Sequence, residues 1–568
     1  MSLQKLPPEI QSQIFSHLIT SFGPSPIHAV LKTCRQIYRV ALPISVELFR
    51  NTGPLQAGEG SCSEARNAKF LHYILVSKPW LAKYVKTIIL GRFSSSIQGD
   101  KPRIRDNIRR PTACAKIFQK QLKTKIRRCL SSVRPSSHIG NGDTFGDLHA
   151  YQDYMNSVLG PDTVHQYRLE YAQWMADLHS GTSDAQVALI LLACPNVERL
   201  YFEEPSDARN FGFLLRMSQA LSSRIRPYPV PISKIKDIYS EGPDNGIGYQ
   251  MGTSEILALL ALPSLQSCEF TLVGGDLETA EKLARFPPRS SPIEELTLRA
   301  SCCTGPMIFH LLSACKSLKS FEYLRGIHYE SYPPVLARDI MDAILPHAQT
   351  LGNLHINLWD DRCKDDLGFP QRLYMGTKLR EMTALKRLTI GMQALTGMLS
   401  GHPRGAQGMD VPLKVSGGPW LEECLPEQLE HLVITGCGKQ ILPQASELLE
   451  FVEMGRFSKL DCIHLLFNDE HITPEEIELR PGVPRPRLVI VFQDEWRLLD
   501  QAIGFPQKHR KNKTLCSQIY AEDLREDWLN WRGGAAVRLW EPPEGYDSHF
   551  TNEMDEKYGL YYVRNCRV

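Results

Sequence analysis

The sequence predicts an α/β chain, with a short helical segment at the N-terminus followed by a long array of strand–helix repeats. Three observations lead there. Apolar residues open the chain at helical spacing, with Ile10, Ile14 and Leu18 at i, i+4 and i+8. Past residue 180 a three-anchor pattern, apolar at positions one, four and six, recurs eight times. Between the anchors lie apolar stretches of helical length, such as 185–192 and 307–312.

In the first fifty residues, Leu6-Pro7-Pro8-Glu9 suits a helix start. Proline is tolerated in the first turn because its missing N–H would have no intrahelical partner, and Glu9 complements the positive end of the dipole. Phe15 and Ile19 widen the apolar stripe, and Gly23-Pro24-Ser25-Pro26 breaks the chain. A second helical pattern follows through Ile27, Val30, Leu31, Cys34, Ile37 and Tyr38, which Pro43 is expected to stop. Ile44 to Phe49 form a third short apolar segment. Three helices of this size cannot bury all their apolar positions against one another, so leftover surface calls for a partner or for the scaffold that follows.

These residues resemble an F-box of the variety seen in filamentous fungi. The likeness rests on Leu6-Pro7-Pro8-Glu9-Ile10, Ile14-Phe15-Ser16-His17-Leu18, the run Leu31 to Arg39, and the ending Arg39-Val40-Ala41-Leu42-Pro43. It implies docking to the Skp adaptor of a cullin–RING ubiquitin ligase. The docking positions carried over from the family are Leu6, Pro7, Ile10, Ile14, Leu18, Leu31, Cys34 and Ile37. The sequence departs from the family at Ile37, where Trp is common, and in a longer, proline-rich turn between the helices. The alternative is that these helices cap the scaffold.

The scaffold anchors are Val197/Leu200/Phe202, Leu265/Cys268/Phe270, Ile293/Leu296/Leu298, Leu318/Phe321/Tyr323, Leu351/Leu354/Ile356, Leu385/Leu388/Ile390, Leu429/Leu432/Ile434 and Leu460/Ile463/Leu465. First anchors are 68, 28, 25, 33, 34, 44 and 31 residues apart. Alternation at the end of each unit reads as a short strand with one buried face. Two helical stretches end alike, at Cys194 and Cys315, each three residues before the next anchor. This recurrence resembles the cysteine-containing leucine-rich repeats that often follow F-boxes. It implies a solenoid whose strands line a concave, partner-binding face. The alternative is an ordinary doubly wound sheet, which would have longer apolar strands and a Gly-rich turn after the first. No such turn is present.

The remaining segments fit around this array. Residues 70–75 read as a helix and 84–90 as a strand, and Ser77 to Val85 is similar to the first scaffold unit of fungal F-box proteins. An insertion over about 93–146 holds twelve Lys/Arg against one acidic residue between Lys101 and Arg134, a net of +11 in a chain whose formal charge is +2. A solvated loop is the first reading of this cluster, a nuclear-import or polybasic patch the second. Nucleic-acid binding comes last, since Phe118 is its only aromatic. Residues 151–178 read as helix and 488–492 as a strand. The Trp/Tyr-rich tail from 496 to 568 is expected to cap the array.

The sequence lacks the motifs of common catalytic sites. It has no phosphate-binding glycine loop, zinc-protease helix or nucleophile elbow. Its fifteen cysteines have neither metal-ligand nor disulfide-scaffold spacing, which points to a reducing compartment. Cys302-Cys303 reads as a strand end or loop, not a redox site. Asp360-Asp361 and Asp365-Asp366 read as a solvated loop, and His464 and His471 as surface residues.

The sequence therefore divides into an F-box (1–50), a linker with the first scaffold unit (51–180), a leucine-rich-repeat-like scaffold (181–495) and a C-terminal cap (496–568). The expected function is that of a non-enzymatic substrate receptor, cytoplasmic or nuclear. Its partners would be the Skp adaptor, through it a cullin, and a protein target, without cofactor, metal or membrane. The alternative is a repeat scaffold with no ligase role.

Overall fold

The computed structural model describes residues 6–22, 30–31, 33–51, 62–91, 148–203, 209–222, 232–241, 253–271, 273–274, 277–325, 335–358, 374–397, 419–467 and 487–492. The basic insertion at 101–134, the paired aspartates at 360–366, His471 and the aromatic tail lie outside them.

Twelve strands form one sheet, ordered strictly by sequence from β1 to β12, and every pairing is parallel. They are β1 (Leu48–Asn51), β2 (Thr87–Leu90), β3 (Arg199–Glu203), β4 (Asp237–Glu241), β5 (Ser267–Thr271), β6 (Glu295–Ser301), β7 (Ser320–Arg325), β8 (Asn353–Asn357), β9 (Arg387–Gly391), β10 (His431–Cys437), β11 (Cys462–Phe467) and β12 (Arg487–Phe492). A doubly wound sheet reverses its strand order at a switch point. No reversal occurs here, so each unit leans on its sequence neighbours, as in a solenoid.

The anchors align across the sheet. Position-four residues form one ladder in register: Phe49, Ile88, Leu200, Ile238, Cys268, Leu296, Phe321, Leu354, Leu388, Leu432, Ile463 and Leu488. The position-one residues, from Val46 and Val85 through to Leu460, are all buried. A second regularity is in the backbone. The carbonyl preceding each strand accepts two N–H groups from the next unit: Glu47 O from Lys86 and Thr87, Glu198 O from Lys236 and Asp237, and so on to Glu430 O from Asp461 and Cys462. These paired bonds satisfy the backbone where strands begin, before the ladder proper takes over.

The 68-residue gap between the first two anchors conceals a unit, Ile235/Ile238/Ser240, which contains β4. Its sixth position is a fully buried serine between Phe202 and Phe270, so the apolar pattern fails there while the strand survives. The array also begins earlier than its anchors suggest, at Leu48. The segment expected as a third short helix, Ile44 to Phe49, is the end of one helix, the buried anchor Val46 and part of β1.

The N-terminal helices are α1 (Pro8–Phe22) and α2 (Arg35–Ser45). Two expectations fail in α2. Pro43 does not stop it, because proline stands in the last turn and its carbonyl still accepts the Val46 N–H. The pattern from Ile27 to Tyr38 is not one helix. Cys34 is extended, at φ −158°, and its Sγ accepts the Ile37 N–H as an N-cap. Before it, Val30 closes a turn with Thr33.

The other helices lie between strands: α3 (Cys62–His72), α4 (Leu148–Leu159), α5 (Pro161–Gln166), α6 (Arg168–Ser180), α7 (Ser183–Ala193), α8 (Arg209–Ser222), α9 (Thr253–Leu260), α10 (Leu277–Ala284), α11 (Gly305–Ala314), α12 (Ala337–Ile344), α13 (Met392–Thr396), α14 (Leu421–Cys424) and α15 (Leu442–Glu453). The helix expected over 151–178 is thus three, broken at Gly160, which takes φ +75°, and again at Tyr167. All eleven residues of α7 are buried, Asp184 among them. Trp174 of α6 is fully buried and donates from Nε1 to Ala185 O at 3.0 Å, tying α6 to α7.

His347 ties successive units together. Leu312 O, 3.0 Å from Nε2, can only accept, so Nε2 donates, and Nδ1 accepts the Leu318 N–H at 3.4 Å. Burial, with Arg289 nearby, lowers its pKa below the usual 6.5. The stability His347 contributes is therefore present above pH 6.5 and is lost as pH falls below it, because the unfolded chain takes up the proton first. His347→Ala should cost about 2 kcal/mol at pH 7.5, by leaving the Leu318 N–H without its acceptor and Leu312 O with the Cys315 N–H alone. The penalty should shrink on acidification, as read by urea midpoints between pH 7.5 and 5.5.

Candidate protein-docking surfaces

On α1, Phe15 is fully buried and packs with Ile37, Ala41 and Ile44 of α2. Ile14, Leu18, Leu31 and Cys34 flank this cluster, half-buried. The eight residues expected to face an adaptor therefore divide. Ile37 is only 5 % exposed and belongs to the chain's own core. Pro7 is exposed, Ile10 is 40 % exposed, and Leu6 is intermediate. Together they form an apolar tip at the start of α1, Leu6 and Pro7 just before the helix and Ile10 in its first turn. An exposed Ile a turn away from a buried Phe gives the helix two apolar sides, one used internally and one open.

The module is joined directly to the array. Leu42 and Val46 pack with Leu81 of the 3₁₀ segment Pro79–Tyr84, and Leu31, Tyr38 and Tyr73 border that contact. Lys78 Nζ donates to the Tyr38 hydroxyl and sits 4.9 Å over the Tyr38 ring and 5.5 Å over that of Tyr73. Ammonium over aromatic faces is an attraction that survives partial exposure. Periodicity carries no sign of this joint, because Tyr38 and Lys78 stand forty residues apart.

The second surface is the sheet face opposite the anchors. Its residues change along the array. The rings of Tyr201 on β3 and Tyr239 on β4 lie 5.7 Å apart, tilted by 35°. On β5 to β8, Arg299 Nε lies 2.9 Å from Glu269 Oε1 and 3.5 Å from Glu322 Oε1, and His355 Nδ1 is 3.7 Å from Glu322. Farther on, Val433 and Leu466 replace the charges and are 8 % and 4 % exposed. His464, expected at the surface, is mostly buried on this stretch, and desolvation with His431 beside it lowers its pKa to about 4. Over β3 to β8 the face offers rings and hydrogen-bonding charges of the kind a protein ligand would use, whereas over β10 and β11 its apolar residues are buried.

Cys194, Cys268, Cys303, Cys424 and Cys437 are fully buried, and desolvation raises their thiols well above the ordinary range. A buried thiol is a poor nucleophile. Among the described residues no three His, Cys, Asp or Glu side chains converge to hold a metal ion. In the same residues, no helix is long and apolar enough to cross a membrane. No protein-family model matches the chain, and a search of curated proteins finds no match.

Proposed function

We propose that this chain is a substrate receptor of a cullin–RING ubiquitin ligase. In this reading the N-terminal helices are an F-box that docks to the Skp adaptor. The leucine-rich-repeat-like array holds a protein target on its open face, in the cytoplasm or nucleus. The observation that carries the reading is the Leu6/Pro7/Ile10 tip. It is apolar, it stands at the start of the F-box-like motif, and the chain's own core leaves it uncovered. The chain would catalyse nothing. It would raise the effective concentration of a target beside the ubiquitin-loaded enzyme.

A second reading has its own support. Because α2 runs through Val46 into β1 and packs on Leu81, the helices also serve as the N-terminal cap of the array. A protein-interaction scaffold without a ligase role would need nothing more.

Co-purification with a Skp adaptor separates the two. Ile10→Asp places a charge on an exposed position, so the fold should persist by circular dichroism. At a buried contact the same charge should weaken binding by about 100-fold or more. If the intact chain captures the adaptor and the folded variant does not, the ligase reading stands. If the intact chain captures none, the scaffold reading replaces it.

A further inference from the structure

The exposed large apolar side chains are not spread evenly. Val76, Trp80 and Tyr84 fall within nine residues and are 40 %, 48 % and 36 % exposed. They sit on the π-turn Tyr73–Ser77 and the 3₁₀ segment Pro79–Tyr84 that follows it. Such π-turns are rare and often mark functional positions. Trp80 and Tyr84 meet edge to face at 5.9 Å, so the two rings present one preformed surface.

Cations surround this surface. Lys83 Nζ is 5.2 Å over the Tyr84 ring. Lys78 is held by Tyr38 and Tyr73. Lys234 donates to Asn196, whose own side-chain amide donates to Lys83 O at 2.7 Å. None of the three lysines has a carboxylate partner among the described residues. The buried side of the segment is Leu81, in contact with Leu42 and Val46 and bordered by Leu31 and Tyr38. Leu31 also flanks the Phe15/Ile37 cluster, so the segment that carries the aromatic surface packs directly against the docking helices.

The geometry points to Trp80, Tyr84 and Lys83 as a second contact for the adaptor that the N-terminal helices engage, made through an apolar, carboxylate-bearing segment of that adaptor. This inference rests on the docking reading above. A ring pair beside an unneutralised lysine matches such a segment in both shape and charge, and Trp and Tyr are the side chains most often dominant at interfaces. It also gives the chain an exposed aromatic outside the F-box-like motif, in which Ile37 stands where the family commonly has Trp.

The test is titration calorimetry of the full-length chain with purified Skp adaptor, comparing the intact protein, Trp80→Ala with Tyr84→Ala, Lys83→Glu, and Ile10→Asp. All four altered side chains are exposed. The aromatic double variant should bind about tenfold or more weakly at an unchanged melting temperature. Lys83→Glu, whose side chain supports no core contact, should weaken binding and flatten its salt dependence. If the double variant and Lys83→Glu both bind as the intact chain does while Ile10→Asp does not, this second contact is refuted and docking through α1 stands. If the intact chain does not bind, the docking reading and this inference fall together.

Discussion

Tyr323→Ala should lower the unfolding free energy by about 4 kcal/mol, the largest loss expected from one substitution in the array. Tyr323 is fully buried at position six of β7, between Leu298 and Ile356 in register, and its hydroxyl donates to Ser301 O at 3.0 Å. Truncation removes a ring from the middle of a one-dimensional stack and leaves a buried carbonyl without its donor. Tyr323→Phe keeps the ring and should cost about 1 kcal/mol, which separates the two contributions. Because each unit leans only on its neighbours, the Ala variant should also broaden the urea transition, as the two flanking halves lose their coupling. A sharp, unshifted transition would show that the ladder is not the stabilising spine.

Asp184→Ala is expected to cost about 3 kcal/mol. Its buried carboxylate accepts the Asn210 N–H at 2.7 Å, the Phe211 N–H at 3.0 Å and the Asn210 side-chain amide at 2.9 Å. It thereby caps α8 from the neighbouring helix α7. Removing it orphans three buried donors. Burial, with Asp177 nearby, raises its pKa from 3.8 to about 6 despite those bonds. The folded state therefore holds the proton more tightly than the unfolded one. This group favours folding most below pH 4, and its contribution declines as pH rises toward 6, by up to ~3 kcal/mol. Asp184→Asn keeps an acceptor and removes the charge, so its stability profile should be flatter over that window. An unchanged slope in the Asn variant would mean that Asp184 is already ionised at pH 4 in the folded protein.

The repeats were legible because a strand with one buried face imposes an alternation that sequence preserves. In all eight anchor sets the fourth and sixth positions fall on a strand, and each position-four residue lies on the single ladder. The unit with Ser240 lacks the three-anchor pattern because parallel pairing through backbone bonds tolerates one polar residue where neighbours supply enough apolar surface. Asn51 hides the first strand in the same way, its amide donating to Asn67 at 2.6 Å. Less of the docking surface could be read. The stripe on α1 was evident, yet periodicity alone does not say which apolar residues a neighbouring helix will cover. Ile37 and Ile10 have the same chemistry and opposite fates. The Trp80 surface was recognised only as a family-like phrase, since exposure is a property of the folded arrangement.

One regularity lies just outside the strands. The residues that open the first four units, Glu47, Lys86, Glu198 and Lys236, alternate in charge, and facing pairs form at 2.7 to 3.1 Å: Glu47 with Lys86, Glu198 with Lys236 and, farther on, Glu294 with Lys319 and Glu430 with Lys386. Each is well exposed and worth little, on the order of 0–1 kcal/mol. Their effect is on parity. Genes for tandem arrays grow and shrink by whole units, and a copy is interchangeable with its neighbour only if both present the same edge. Here adjacent edges differ in sign, so deleting the unit of β2 would set Glu47 against Glu198, and deleting that of β3 would set Lys86 against Lys236. Only removal of the couple restores attraction at that seam, which makes the pair of units, and not the single unit, the step by which this end of the array can be lengthened or trimmed without penalty.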